Sequence, residues 1–264
     1  MTVAIGLVCS DGVVVASDSL ASGGSQGWVA SKATKVFKAP RLPLIWTASG
    51  SVHMIEEVAT TIREMDAEIY GIGRNDSLPL FLQPALESIR SQFTNHAVKR
   101  MREIYTSALP NAEKQADPRH PGHHVHEAEF LFLGFTNGQP FFLHLDEFGG
   151  MNWVHLDNKF RSIGSGGDFA AAGAALLENY VQADLAVEQG LQVAYRAIEA
   201  TCRISTALVR TPVQLAVADA DGTRILDEDA IRVVQHDVES WTDWEKNRFL
   251  QPAPERPEEV PPKF

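Results

Sequence analysis

Residues 2–19 read TVAIGLVCSDGVVVASDS, and everything else in the chain is easiest to place around them. Residues 2–9 are apolar and β-rich, Ser10-Asp11-Gly12 supplies turn chemistry, and Val13-Val14-Val15-Ala16 runs back, which predicts a β-hairpin. In such a hairpin Asp18, at the end of the second strand, comes back to the neighbourhood of Thr2. Residues 19–31 are rich in Gly and Ser and read as a loop. Two more strands are expected at about 35–39 and 44–48, joined by a turn that contains Pro40 and Pro43.

The period then changes. Val52, Ile55, Val58, Ala59, Ile62 and Met65 recur at helical spacing with Glu56, Glu57, Arg63 and Glu64 between them, which predicts a helix over 52–69. A second helix is expected within 78–106, although Pro84 does not suit a helix interior. Residues 107–127 have no period, are rich in Pro and His, and read as an exposed loop insertion. Strands are expected at 128–135 and 140–145, with Asn137-Gly138 as the hairpin turn, and again at 151–156 and 159–164. Helices follow at 167–181 and 185–204, the latter with Asp184 as a plausible N-cap. Strands at 212–219 and 223–227, around Asp221-Gly222, close the domain, and the chain from about 237 reads as an extended tail outside the core.

The element order is strands, two helices, strands, two helices, strands. Two antiparallel sheets, each covered on its outer face by a helix pair, bury all these apolar faces. The fold class is therefore α+β, a four-layer α-β-β-α sandwich, with one domain over 1–236 and a C-terminal extension over 237–264.

The bulk properties narrow the function. The chain has 264 residues, of which 44% are hydrophobic and 22% charged, as in ordinary globular proteins. A net charge of −11 argues against a nucleic-acid partner, which needs clustered Lys and Arg. Apolar runs such as 130–135 are far shorter than the ~20 residues of a membrane span. The start of the chain lacks the basic segment of a signal peptide. Cys9 and Cys202 lie far apart in apolar segments and read as free buried thiols, so a cytoplasmic location is expected. His120, His123, His124 and His126 sit in a Pro-Gly loop without a scaffold and read as a solvated cluster, so no metal and no cofactor is expected.

Thr2 is the first candidate for chemistry. Removal of Met1 leaves a threonine with a hydroxyl and a free α-amine, whose pKa is roughly 7.7–8.0. That amine can take the hydroxyl proton, directly or through one water, while Oγ attacks a carbonyl. Many chains begin Met-Thr with no chemical consequence, so Thr2 alone decides little. The hairpin brings Asp18 near it, and Lys35 at the start of the next strand can arrive beside both. A buried ammonium favours the alkoxide-like state, and Asp18 holds that ammonium charged. The plainer alternative is a strand-end Asp and a surface Lys, and Lys32 is a second possible ammonium. Gly164-Ser165-Gly166-Gly167 taken alone reads as a glycine-rich turn opening a helix, with phosphate binding an option that no P-loop Lys or Rossmann acid supports.

These motifs, taken in order, resemble the proteasome β-subunit and HslV-like threonine peptidase family. The resemblance rests on Thr-Val-x-Ile-Gly-x5-Gly-Val-Val-x-Ala-Ser-Asp-Ser at 2–19, Ala30-Ser31 with Lys35-Val36, Ala48-Ser49-Gly50-Ser51, and Ile163-Gly164-Ser165-Gly166-Gly167 before an Ala-rich helix ending Leu176-Leu177-Glu178-Asn179. It covers roughly 2–219, and length and tail suit the bacterial proteasome homologues of the betaproteobacterial type and Anbu better than the shorter HslV. The resemblance implies the N-terminal-nucleophile hydrolase fold and a self-compartmentalising threonine endopeptidase. It implies Thr2 as nucleophile, Lys35 as the ammonium lowering its pKa, Asp18 as the anionic partner, and Ser165 as a hydroxyl near the amine. The Gly50 N–H is implied to face the oxyanion and Ser22 to offer its backbone to a substrate strand.

Departures from the family pattern bear on these roles. One extra residue between Lys35 and Gly50 leaves Ser49 as an alternative oxyanion position, Leu20 replaces the usual Arg after Asp-Ser, and Ile204 stands where many subunits have an acid. Ala33 and Ala48 are small residues that suit the pocket for the side chain before the scissile bond. The implied partners are peptide or unfolded protein substrates, copies of the same chain in a stacked ring (a tetradecamer first), and a ring ATPase. The rival expectations are an amidohydrolase of small amides and an inactive ring scaffold.

Overall fold

The hairpin forms as β1 (Ala4–Val8) and β2 (Gly12–Ser17), antiparallel, with Val8 opposite Val13 and Ala4 opposite Ser17. Every residue of both strands is buried. The cause is a core on each face: Val3, Ile5, Leu7, Val14 and Ala16 enter one apolar cluster, and Ala4, Val8, Val13 and Val15 enter another. A strand covered on both sides carries a nearly continuous apolar run rather than a clean alternation. The computed structural model describes residues 2–23, 28–30, 33–72, 128–136, 138–146, 151–154, 159–178, 185–204 and 211–250.

The remaining strands are β3 (Ala21–Gly23), β4 (Trp28–Ala30), β5 (Val36–Lys38), β6 (Leu44–Gly50), β7 (Ala128–Thr136), β8 (Gln139–Leu145), β9 (Met151–Trp153), β10 (Phe160–Ile163), β11 (Gln214–Asp219) and β12 (Gly222–Ile225). They make a five-stranded sheet in the order β10-β1-β2-β11-β12, a second in the order β5-β6-β7-β8-β9, and a small β3-β4 ladder. All pairings are antiparallel. The ladder corrects the reading of 19–31 as plain loop, because Ser22 pairs with Val29.

The helices are α1 (Val52–Ile72), α2 (Gly167–Glu178), α3 (Val187–Ile204) and α4 (Glu228–Leu250). Met54, Val58 and Ile62 of α1 pack on Trp46, Phe130, Phe132, Leu143 and Leu145 of the second sheet. Phe37 stacks on Trp46 with ring centroids 4.2 Å apart. Ile45, Leu131, Leu133 and Phe142, on the other face of that sheet, meet Ala4, Val13 and Val15 of the first. Helix α3 lies on the outer face of the first sheet through Leu191, Ala194 and Ile198. Helix, sheet, sheet, helix: this is the four-layer α-β-β-α sandwich. The expected helix within 78–106 and the loop at 107–127 lie outside the described residues.

Helix α3 takes its N-terminal cap from far away in sequence. The Val187 N–H donates to Asp11 Oδ1 (2.8 Å), and the Ala186 N–H to Gln189 Oε1 (3.1 Å). An anion at a helix N-terminus satisfies an orphan donor and the dipole together. Asp184, the expected cap, lies outside the described residues. Gly190 lets the helix approach the hairpin closely, since a Cβ there would lie 2.4 Å from Cys9 Sγ.

The reading of the chain from about 237 as extended and outside the core is corrected. Helix α4 runs to Leu250, and Val234 and Val238 are buried in the same cluster as α3. Its start is capped by Asp227, whose Oδ1 accepts the Ala230 N–H at 2.8 Å. Further along, Arg196 of α3 pairs with both carboxylate oxygens of Glu245 and lies 4.4 Å above the Trp241 ring.

Candidate active site

Thr2 is buried, and its surroundings are built by the ends of three strands and one turn. Because β1 and β2 pair in register, Asp18 lies beside Val3: the Asp18 N–H donates to the Val3 carbonyl (3.1 Å), and the Val3 N–H donates to Asp18 Oδ1 (3.0 Å). The other carboxylate oxygen accepts the Leu20 N–H at 3.0 Å. Ser17 Oγ also donates to the Val3 carbonyl (3.0 Å). Asp18 is fully buried.

Lys35 donates Nζ to the same Oδ1 of Asp18 at 2.7 Å, with its side chain only 8% exposed. One oxygen therefore joins the ammonium to the amide that follows Thr2. Burial pushes the Lys35 pKa below the ordinary lysine range, and the charge and hydrogen bond of Asp18 push back. The backbone of Lys35 is equally constrained. Its N–H donates to Gln214 Oε1 (3.0 Å), Gln214 Nε2 donates to the Ala33 carbonyl (2.5 Å), and Thr47 Oγ1 donates to the Lys35 carbonyl (2.8 Å). Gln214 was not legible as a site-building residue from sequence. Cys202 lies near this pair; burial first, then the Asp18 charge, pushes its thiol up to about 12, so it stays protonated.

The turn after β10 closes the site. The Gly166 N–H (3.3 Å) and Ser165 Oγ (3.5 Å) donate to the Thr2 carbonyl. Gly164 has φ of 82°, and a Cβ there would lie 2.3 Å from the Thr2 carbonyl oxygen. Only glycine fits both the backbone conformation and the approach. Ser49 turns its hydroxyl toward this same glycine. Gly50, with φ of 109°, follows at the exposed end of β6, opposite Ala128.

The structure thus gathers Thr2, Asp18, Lys35 and Ser165, with Ser49 and Gly50 on the adjoining strand end. Ser22 lies in β3, Ala33 beside Lys35, and Ala48 is buried in the cluster under α1. Glu129, unremarked in the sequence reading, also reaches the site: its Oε2 accepts the Gly164 N–H at 3.1 Å. A lone carboxylate in the apolar strand AEFLFLGFT was the signal for it.

Known proteins resemble this chain in sequence and in fold. No protein-family model matches the sequence. A proteasome subunit beta from Methanosarcina barkeri is 24% identical over 235 residues, covering 89% of this chain and 93% of the relative. One from Methanosarcina mazei is 27% identical over 198 residues, covering 75% and 77%. Among solved structures, an Anbu (Gly-1) mutant from Hyphomicrobium sp. strain MC1 superposes with a TM-score of 0.64 at 15% identity, over 97% of this chain and all of that one. Anbu from Yersinia bercovieri, described as an ancestral beta-subunit, gives 0.64 at 13% with the same coverage. By sequence and fold together, the chain is a proteasome-like protein, related to the proteasome β subunits and sharing its fold with Anbu.

Proposed function

We propose that this chain is a threonine endopeptidase whose nucleophile is Thr2 after removal of Met1. The observation that carries the reading is the shared oxygen of Asp18, which binds the buried Lys35 ammonium (2.7 Å) and the Val3 amide (3.0 Å) together. A charged lysine so placed lowers the energy of an alkoxide on the neighbouring threonine. The freed α-amine takes the hydroxyl proton as Oγ attacks the peptide carbonyl. The tetrahedral oxyanion is received by a backbone N–H at the end of β6, from Gly50 or Ser49, where such donors contribute several kcal/mol. Collapse expels the amine half of the peptide, which takes the proton from the α-ammonium, and leaves an ester on Thr2. Water, deprotonated by the same amine, then releases the acid. Ser165, held at the Thr2 carbonyl, is suited to relay that proton.

Relatives named as proteasome β subunits support an assembly of copies in a ring; we propose a closed stacked ring, a tetradecamer first, fed with unfolded protein by a ring ATPase. The deciding experiment is the intact mass of the protein before and after incubation with peptide epoxyketones, which react with a hydroxyl and an adjacent free amine. Loss of Met1 with one adduct per chain, absent from Thr2→Ala, is the expected result. Retained Met1 with no adduct overturns the reading and leaves a ring scaffold. An adduct with small-amide turnover and no peptide cleavage makes the protein an amidohydrolase instead.

A further inference from the structure

The geometry points to Glu129 as a positioning residue that sets the Gly164–Gly166 turn, and through it Thr2. This rests on the threonine-peptidase reading but concerns a residue outside the set that the motifs supply.

Glu129 faces inward on β7, directly opposite Ser49 of β6. It is the single charged residue of that strand. A carboxylate at such a position costs stability unless its lone pairs are used. Both oxygens are engaged. Oε2 accepts the Gly164 N–H at 3.1 Å, and Oε1 lies 3.6 Å from His144 Nε2, an ion-pair distance rather than a hydrogen bond. His144, on β8 opposite Leu131, is 95% buried, and neither ring nitrogen has a hydrogen-bond partner among the described residues. The carboxyl is held below the usual carboxylate range, first by His144, with the Gly164 amide and Arg161 adding to it and burial opposing.

The consequence passes along the turn. Gly164 abuts the Thr2 carbonyl so closely that no side chain fits between them, and the next two residues grip that carbonyl through Ser165 Oγ and the Gly166 N–H. Orienting the Gly164 amide therefore orients the peptide group of Thr2, and with it the hydroxyl and amine that must meet a substrate carbonyl. Misplacement of a reacting group by about 1 Å can cost on the order of a hundredfold in rate.

The test uses the full-length assembled protein with Met1 removed, and compares Glu129→Ala with Glu129→Gln. Gln keeps an acceptor oxygen for the Gly164 N–H and loses the charge. Two quantities are read: the limiting rate and half-saturation of epoxyketone inactivation, and deuterium exchange of the peptide spanning 163–167. Glu129→Ala is expected to lower the limiting rate about tenfold, the scale of one hydrogen bond. Half-saturation should change little, and exchange at the turn should rise. Glu129→Gln should recover most of the rate and protection. An Ala variant with wild-type inactivation and unchanged exchange overturns the inference. Equal losses in Ala and Gln also overturn it, because charge and not the Gly164 contact would then matter. If the wild-type protein takes no epoxyketone, the peptidase reading fails, and exchange alone decides whether Glu129 holds the turn.

Discussion

Asp18 spends two oxygens on three donors, the amides of Val3 and Leu20 and the ammonium of Lys35, and this sharing gives the site a definite pH behaviour. The proposed mechanism needs the α-amine unprotonated and Lys35 protonated. The rate of inactivation by an epoxyketone should therefore rise with pH through roughly 7.7–8.0, the range of an α-amine. It should fall again on an alkaline limb below 10.5, because burial lowers the Lys35 pKa from that value. Asp18→Asn removes the charge that opposes burial, so the alkaline limb should move further down. A pH profile of the two proteins checks both statements. The sign for stability follows from the same shift. The unfolded chain binds the Lys35 proton more tightly, so the lysine's contribution is fully present above 10.5 and is lost as pH falls through its folded value. That Thr2, Asp18 and Lys35 could lie together was legible from a hairpin and the next strand, while the roles expected of them came only from the family resemblance. Gln214 was not, because it acts from 179 positions away across a sheet packing that no local pattern encodes, and for Glu129 the strand pattern marked an unusual carboxylate but not its partner Gly164, 35 positions away.

At the level of elements, hairpins and helices with clean periods were legible, and what escaped was an element beside a dominating signal. Helix α4 has an Asp227 cap, Glu228 and Asp229 in its first turn, and Ile231, Val234, Val238 and Trp241 at spacings of three and four. Those cues were outweighed by the proline-rich residues that follow. The helix is held by two buried valines and by the Arg196 contacts to Glu245 and Trp241. Val238→Asp places a carboxylate in that apolar contact and should destabilise the protein by about 3 kcal/mol or more. Urea unfolding measures it, and a loss below about 1 kcal/mol would show that α4 contributes little to the core. The ladder of β3 and β4 escaped for a different reason: three-residue strands rich in Gly and Ser carry no period to read.

For the molecule as a whole, the layered order was legible because alternating blocks of strands and helices leave few ways to bury every apolar face. No helix among the described residues is long and apolar enough to cross a membrane. What the order of blocks did not reveal is which strands flank which. The hairpin that carries Thr2 is completed on one edge by β10, which begins at Phe160, and on the other by β11, which begins at Gln214. During synthesis, a ribosome that has made the first 159 residues has delivered Thr2, Asp18 and Lys35 but neither the turn that seats the threonine nor the glutamine that fixes the lysine backbone. Released chains ending at 159 should accordingly take up no epoxyketone when the finished protein does, as intact mass would record. On the proposed mechanism, the threonine is made before the strands that complete its site, so a half-built chain ending at 159 carries no working blade.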